Sequence, residues 1–264
     1  MASGFHATDR TVLRLSGADT REFLQGLVTS DVGRLRQGAV YAALLSAQGK
    51  YLFDFFLLPD GEEAVLLDVK ADRAAALAQR LGMYRLRSDV AIAPAGLGVV
   101  LGLGDAPAGV AAWPDPRHPG LGWRAYAADP SGLAATLAPL APEAMTALRV
   151  ELGVPETGIE LAPDESYILE MGFERLNGVD FRQGCYVGQE VTARMKHKTE
   201  LRKGLARVRI DGTPPPPGTE ILAGDRPAGT LYTTAGGFGL AHLRFDRAEG
   251  ALTAGDARVN WESD

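Results

Sequence analysis

The chain has 264 residues, with 27 Lys and Arg against 33 Asp and Glu, a formal net charge of −6. At 46% hydrophobic and 23% charged it has a globular composition, which excludes wholesale disorder, and its length suits one large or two to three small domains. The single cysteine, Cys185, excludes an internal disulfide, a CxxC redox pair and a cysteine-based zinc or iron-sulfur site within one chain; a reducing, cytoplasmic location is the expectation.

In chain order, residues 12–15 predict a short strand. Ser16-Gly-Ala-Asp19 reads as a capping-box variant opening a helix whose apolar face is Phe23, Leu24, Leu27 and Val28. The runs 40–45, 51–58 and 64–69, separated by Gln48-Gly49 and Asp60-Gly61 turns, predict a three-stranded antiparallel meander, and a helix follows over 71–82. Further strands are expected at 97–103 and 123–127, and helices at 131–140 and 142–152, the latter opened by Pro142. Helices between hairpin-joined strands indicate an α+β class. The uncharged stretch 90–104 contains Pro94 and four glycines and falls short of a membrane span; neither a membrane association nor a secretory leader is expected. From about residue 204 helix signals fade, and short strands at 205–210, 219–222, 228–233, 238–243 and 257–261 predict a small β-barrel or sandwich. The organisation expected is an α+β portion over 1–90, a second over 91–203 that is free to interleave with the first, and a β-rich portion over 204–264.

Four features carry chemistry. Cys185 sits among Gly184, Gly188 and polar residues rather than in an apolar run, with Arg182 and Arg194 close in sequence and a helix beginning nearby, the surroundings of a reactive thiol; the alternative is an inert small hydrophobe. Residues 182–209 hold eight cations, among them Arg194, Lys196 and Lys198, against Glu190 and Glu200, a basic island suited to an anionic partner or to a solvated face. Asp54, in Tyr51-Leu-Phe-Asp-Phe-Phe, shares a strand face with Leu52 and Phe56 and has apolar residues on either side, so its carboxylate must be at least half buried and therefore paired, hydrogen-bonded or used. Glu151 closes an amphipathic helix; a carboxylate there either faces solvent or accepts two parallel N–H bonds from an amidine-like edge. There is no P-loop, HExxH or Gly-x-Ser-x-Gly, and the four histidines are too scattered to read as a metal site.

Taken in order, the segments 15–31, 45–54, 84–90 and 151–155 and above all Gly184-Cys-Tyr-Val-Gly-Gln-Glu190 resemble the YgfZ family, folate-binding proteins related to the glycine-cleavage T-protein (aminomethyltransferase) and linked to maturation of iron-sulfur enzymes. The resemblance implies a ring of three small domains, two mixed α/β and one C-terminal β-barrel, around bound tetrahydrofolate. Glu151 would hold the pterin edge, Asp54 would lie near the folate or its one-carbon position, Cys185 would be the signature thiol, and Gln189 with Arg194, Lys196 and Lys198 would serve the folate and its anionic tail. Two departures stand out: Gln183 occupies the place of the family's Lys before Gly-Cys, and Lys198-Thr199 replaces an Arg-Gly. The expected function is a monomeric, tetrahydrofolate-binding accessory protein supporting iron-sulfur clusters in client enzymes, including tRNA-modifying ones. The alternatives are a folate-dependent aminomethyl transferase with Asp54 as acid–base group and, less favoured, direct nucleic-acid binding through the basic island.

Overall fold

The computed structural model describes residues 2–198 and 200–261. The chain opens with β1 (Ser3–His6) and β2 (Arg10–Ser16), followed by α1 (Thr20–Gln25) and the meander β3 (Val40–Leu45), β4 (Tyr51–Asp60) and β5 (Ala64–Lys70). Next come α2 (Ala74–Arg85), β6 (Ala91–Pro94), β7 (Gly98–Leu103), β8 (Ala112–Pro114), β9 (Trp123–Ala127), α3 (Pro130–Ala135), β10 (Ala138–Pro139) and α4 (Pro142–Glu151). A long run of turns over 152–188 leads to α5 (Gln189–Lys198), and β11 (Lys203–Asp211), β12 (Thr219–Ala223), β13 (Arg226–Ala235), β14 (Phe238–Arg244), β15 (Leu252–Ala254) and β16 (Ala257–Asn260) complete the fold.

These strands make three β units. The first sheet has the order β3-β4-β5-β2-β6, the second β10-β1-β7-β9-β8, and the third is a closed barrel, β11-β14-β13-β12-β15-β16. The first two sheets exchange terminal strands: β1 pairs with β7 and β10, while β6 pairs with β2. Closing the barrel through β11 and β16 leaves it no open edge.

The first sheet is buried on both faces, which explains why the first eight residues of β4 are all buried. One face packs Phe55, Leu57 and Leu67 under Leu24 of α1 and Leu77 and Leu81 of α2. The other divides its contacts. Val12, Leu58 and Leu66 meet Val99 and Tyr126 of the second sheet, whereas Tyr41, Ala43 and Phe56 meet Val154, Phe173 and Tyr186 from the long run of turns, with Leu205 of the barrel at the margin. Contacts of α4 with β13 and β14 complete the circuit back towards the second sheet.

Three local expectations change. Asp19 precedes α1 but makes no side-chain cap; its carboxylate accepts from Asp89 N at 2.7 Å and ties the helix entry to the approach of β6. The helix expected over 131–140 stops at Ala135, because Ala138 and Pro139 pair with Ser3 and Gly4 in parallel, and Pro139, which cannot donate, lies on an edge strand. Leu52 does not share a face with Asp54: the β3–β4 register steps from Leu44↔Phe53 to Leu45↔Tyr51, so Leu52 is the extra residue of a β-bulge and packs into the opposite core.

Candidate functional site

That bulge builds the surroundings of Asp54. By absorbing one residue it turns Tyr51 onto the face that carries Asp54 and Phe56. The Asp54 side chain, in a residue only 8% exposed, accepts from Tyr41 Oη at 2.9 Å on one oxygen and from Tyr51 Oη at 2.8 Å on the other. Thr157 Oγ1 also donates to it. Burial, followed by the Asp54 charge, pushes both tyrosine pKa values upward, so the phenols remain protonated donors. A carboxylate in a nearly dry site is thus held by three hydroxyls.

Thr157 belongs to a segment that touches the first sheet, α4 and the barrel. Its neighbour Glu156 pairs with Lys70 of β5 at 2.5 Å and with Arg149 of α4 at 3.4 Å. Glu160 accepts from Arg149 Nη1 at 3.1 Å and from Thr233 Oγ1 of barrel strand β13 at 2.5 Å. Between the two sheets, Arg124 of β9 donates to Asp68 of β5 at 2.7 Å and to Asp115 at 3.3 Å, while its guanidinium lies 3.7 Å from the Phe56 ring centroid. Buried charges this closely paired make good joints but are unavailable to a ligand.

Cys185 is exposed and lies on the loop before α5. On one side of it Gln183 turns inward: Nε2 donates to Val28 O at 2.7 Å, and Oε1 accepts from Gln25 Nε2 at 3.0 Å. On the other side Tyr186 is buried and Gly188, at φ +84°, is wedged against the 46–49 turn. Arg182 and Arg194 are exposed, with no side-chain partner among the described residues. Lys196 pairs with Glu174 at 2.5 Å, and Gln189 donates its backbone N–H to Tyr186 O at 3.2 Å. Lys198 ends α5, but its side chain lies outside the described atoms.

Glu151 lies elsewhere, in the wall of a cavity of about 1020 Å³ between the end of α4 and the barrel. It is exposed, and its carboxylate has no partner among the described residues, whereas its carbonyl accepts from Arg207 Nη1 at 3.2 Å. Arg207 also stands 4.8 Å over the Phe238 ring, and Phe245 stacks on Trp261 with centroids 5.1 Å apart. Arg175 donates to Leu152 O and Gly153 O at 2.9 and 2.7 Å. Arg209 completes the basic lining and pairs with Asp211 at 3.2 Å. The cavity therefore offers an available carboxylate, aromatic faces and guanidinium groups together. Asp54, Cys185, Arg194 and Lys196 are not among its lining residues. Sequence reasoning had Arg207 and Arg209 within the basic island but had no signal for Arg175, Phe238 or Trp261, which come together only through tertiary folding.

Residues 202–263 match the family model for the CAF17 C-terminal β-barrel domain. The chain is 31% identical to the mitochondrial iron-sulfur cluster assembly factor IBA57 homolog of Phaeosphaeria nodorum, across 90% of this chain and 69% of that protein. It is 30% identical to iron-sulfur cluster assembly factor IBA57, mitochondrial, of Mus musculus, across 94% and 79%. The chain belongs to the IBA57 family. The human IBA57 relative, 32% identical, is matched over the same shares. The branch is thus IBA57 rather than YgfZ specifically. Among solved structures, the glycine cleavage system aminomethyltransferase T from Bartonella henselae superposes with a TM-score of 0.81 over 99% of this chain and 85% of that one, at 14% identity, which establishes the T-protein fold. The cytoplasmic expectation is corrected by these IBA57 relatives, all three of which are named mitochondrial. A lone thiol bears on redox state and does not distinguish one reducing compartment from another.

Proposed function

We propose that the chain acts in iron-sulfur cluster assembly, the role for which its IBA57 relatives are named, and that it does so as a tetrahydrofolate-binding accessory protein. The observation that carries the folate reading is the Glu151 carboxylate, without a partner among the described residues, in a cavity also lined by Phe238, Trp261, Arg207 and Arg209. Glu151 would accept two N–H bonds from the pterin edge, the rings would cover its apolar faces, and the arginines would meet the glutamate tail. Arg194 and Lys196 of α5 lie outside this lining, and Lys196 is paired with Glu174, so the tail is assigned to Arg207 and Arg209 instead. Tetrahydrofolate, when bound, supplies a reduced pterin able to carry one-carbon units.

Cys185 is the reactive group of this account, holding a sulfur, carbon or iron species transiently; a single thiol does not retain a cluster by itself. Client enzymes that modify tRNA belong to the same proposal. An aminomethyl transferase with Asp54 as acid–base group is the weaker reading, because both Asp54 oxygens already accept hydroxyl hydrogen bonds in a buried site. The test is complementation of cells that lack the native counterpart. The wild-type chain should restore iron-sulfur enzyme activity and Cys185→Ala should not, although it keeps its fold and folate affinity. Full restoration by the alanine variant would make Cys185 structural.

A further inference from the structure

The loop that carries Cys185 is pinned at both ends and open between them. Apart from its two chain neighbours, nothing among the described residues lies within 4 Å of the position a Cβ would take on Gly184, and Gly184 and Cys185 are both exposed. Their conformation is consequently set by the flanking residues. On the C-terminal side the pin is apolar and steric, through Tyr186 and Gly188. On the N-terminal side it is a pair of amides. Gln25 Nε2 donates to both Gln183 Oε1 and Gln183 O at 3.0 Å, Gln25 Oε1 accepts from Val32 N at 2.8 Å, and Gln183 Nε2 donates to Val28 O at 2.7 Å. Each amide thus uses its donor and its acceptor end. The base is rigid, since Leu24 and Val28 on either side of Gln25 are fully buried.

We infer that Gln25 and Gln183 are a positioning pair that holds Cys185 outward for its task, an inference that rests on the reading of Cys185 as the reactive group. The pairing requires complementary ends. A lysine at 183 still donates to Val28 O, but sets an ammonium against the Gln25 NH2 and accepts nothing from it. A glutamate at 25 keeps one oxygen for Val32 N and offers the other to that ammonium. Gln183→Lys alone should therefore loosen the loop, and Gln25→Glu with Gln183→Lys should restore it.

The test uses the full-length chain. Since Cys185 is the only cysteine, a nitroxide placed on it should give a narrowed spectrum in Gln183→Lys and in Gln25→Ala, and a spectrum as broad as that of the wild type in the double variant. Support of iron-sulfur enzymes in cells should fall in the single variants and recover in the double. An unchanged spectrum in both single variants, or effects that merely add in the double, would overturn the inference. So would a loosened loop with full cellular support: if Cys185→Ala also keeps full support the fault lies in the reading of Cys185, and if it does not, the fault lies in the pair.

Discussion

Gly49 and Gly188 pack backbone against backbone: a Cβ on Gly188 would stand 2.5 Å from Ser46 O and 3.1 Å from Gly49 Cα, and one on Gly49 would stand 2.7 Å from Val191 Cβ. Both have positive φ, +72° and +84°, so only glycine satisfies conformation and space together. This contact seats the cysteine loop on the β3–β4 turn and explains why two sequence segments far apart each carry a glycine. Gly188→Ala should lower stability by about 2 kcal/mol through strain and clash. A melting temperature within one degree of wild type would contradict the close approach.

The hydroxyl cage of Asp54 makes a second prediction. Asp54→Ala removes the acceptor for two buried phenols and should cost about 2–4 kcal/mol, while Tyr51→Phe, which removes one donor, should cost about 1 kcal/mol. Urea denaturation midpoints at constant m-value measure both. Equal losses in the two variants would mean that the cage does not act as described.

The charged joints set an acid limit. Burial raises the Glu156 pKa, but the nearby Lys70 and Arg149 outweigh it and hold the carboxyl down to about 2. Asp68 and Asp115 are lowered in the same way, burial being outweighed by Arg10 and Arg124 for the first and chiefly by Arg117 for the second. Groups with depressed folded-state values contribute stability above their unfolded pKa and lose it as the pH falls through the folded one. These carboxyls should therefore leave stability flat between about pH 5 and 9 and make it fall steadily towards pH 2, with Glu156 alone accounting for about 3 kcal/mol. In Glu156→Gln the slope between pH 5 and 2 should be shallower by that amount, as read from denaturant curves at each pH.

Arg124 joins the two sheets by hydrogen bonds to Asp68 and Asp115 and by its place over Phe56. Arg124→Leu leaves buried carboxylates short of a partner and should cost about 3–5 kcal/mol, or about 10 °C in melting temperature. Differential scanning calorimetry gives the value directly.

The meander over 40–70, the strand at 123–127, the helix from Pro142 and most of the barrel were legible in the sequence, because periodicity and turn residues act within a few positions. Strand β1 gave no such signal. Its partners Leu101 and Gly102 lie about a hundred residues away, and Ser3-Gly-Phe-His pairs because the second sheet is there to receive it. The Asp54 environment was half legible: apolar neighbours foretold burial, but strict alternation assigned Leu52 to its face, and only the bulge places Tyr51 there. Glu151 was legible as a carboxylate closing an amphipathic helix, and only the resemblance assigned the pterin edge to it. Phe238 and Trp261 share its cavity through barrel closure, which no local pattern encodes.

The central claim is that the cavity at Glu151 takes tetrahydrofolate, and isothermal titration of the reduced folate into the wild-type chain and into Glu151→Ala tests it most directly. Saturable binding to the wild type and at least tenfold weaker binding to the variant are expected, with the two proteins melting alike because the Glu151 carboxylate is exposed and unpaired among the described residues. No detectable heat at millimolar ligand, or equal affinity in both proteins, would contradict it.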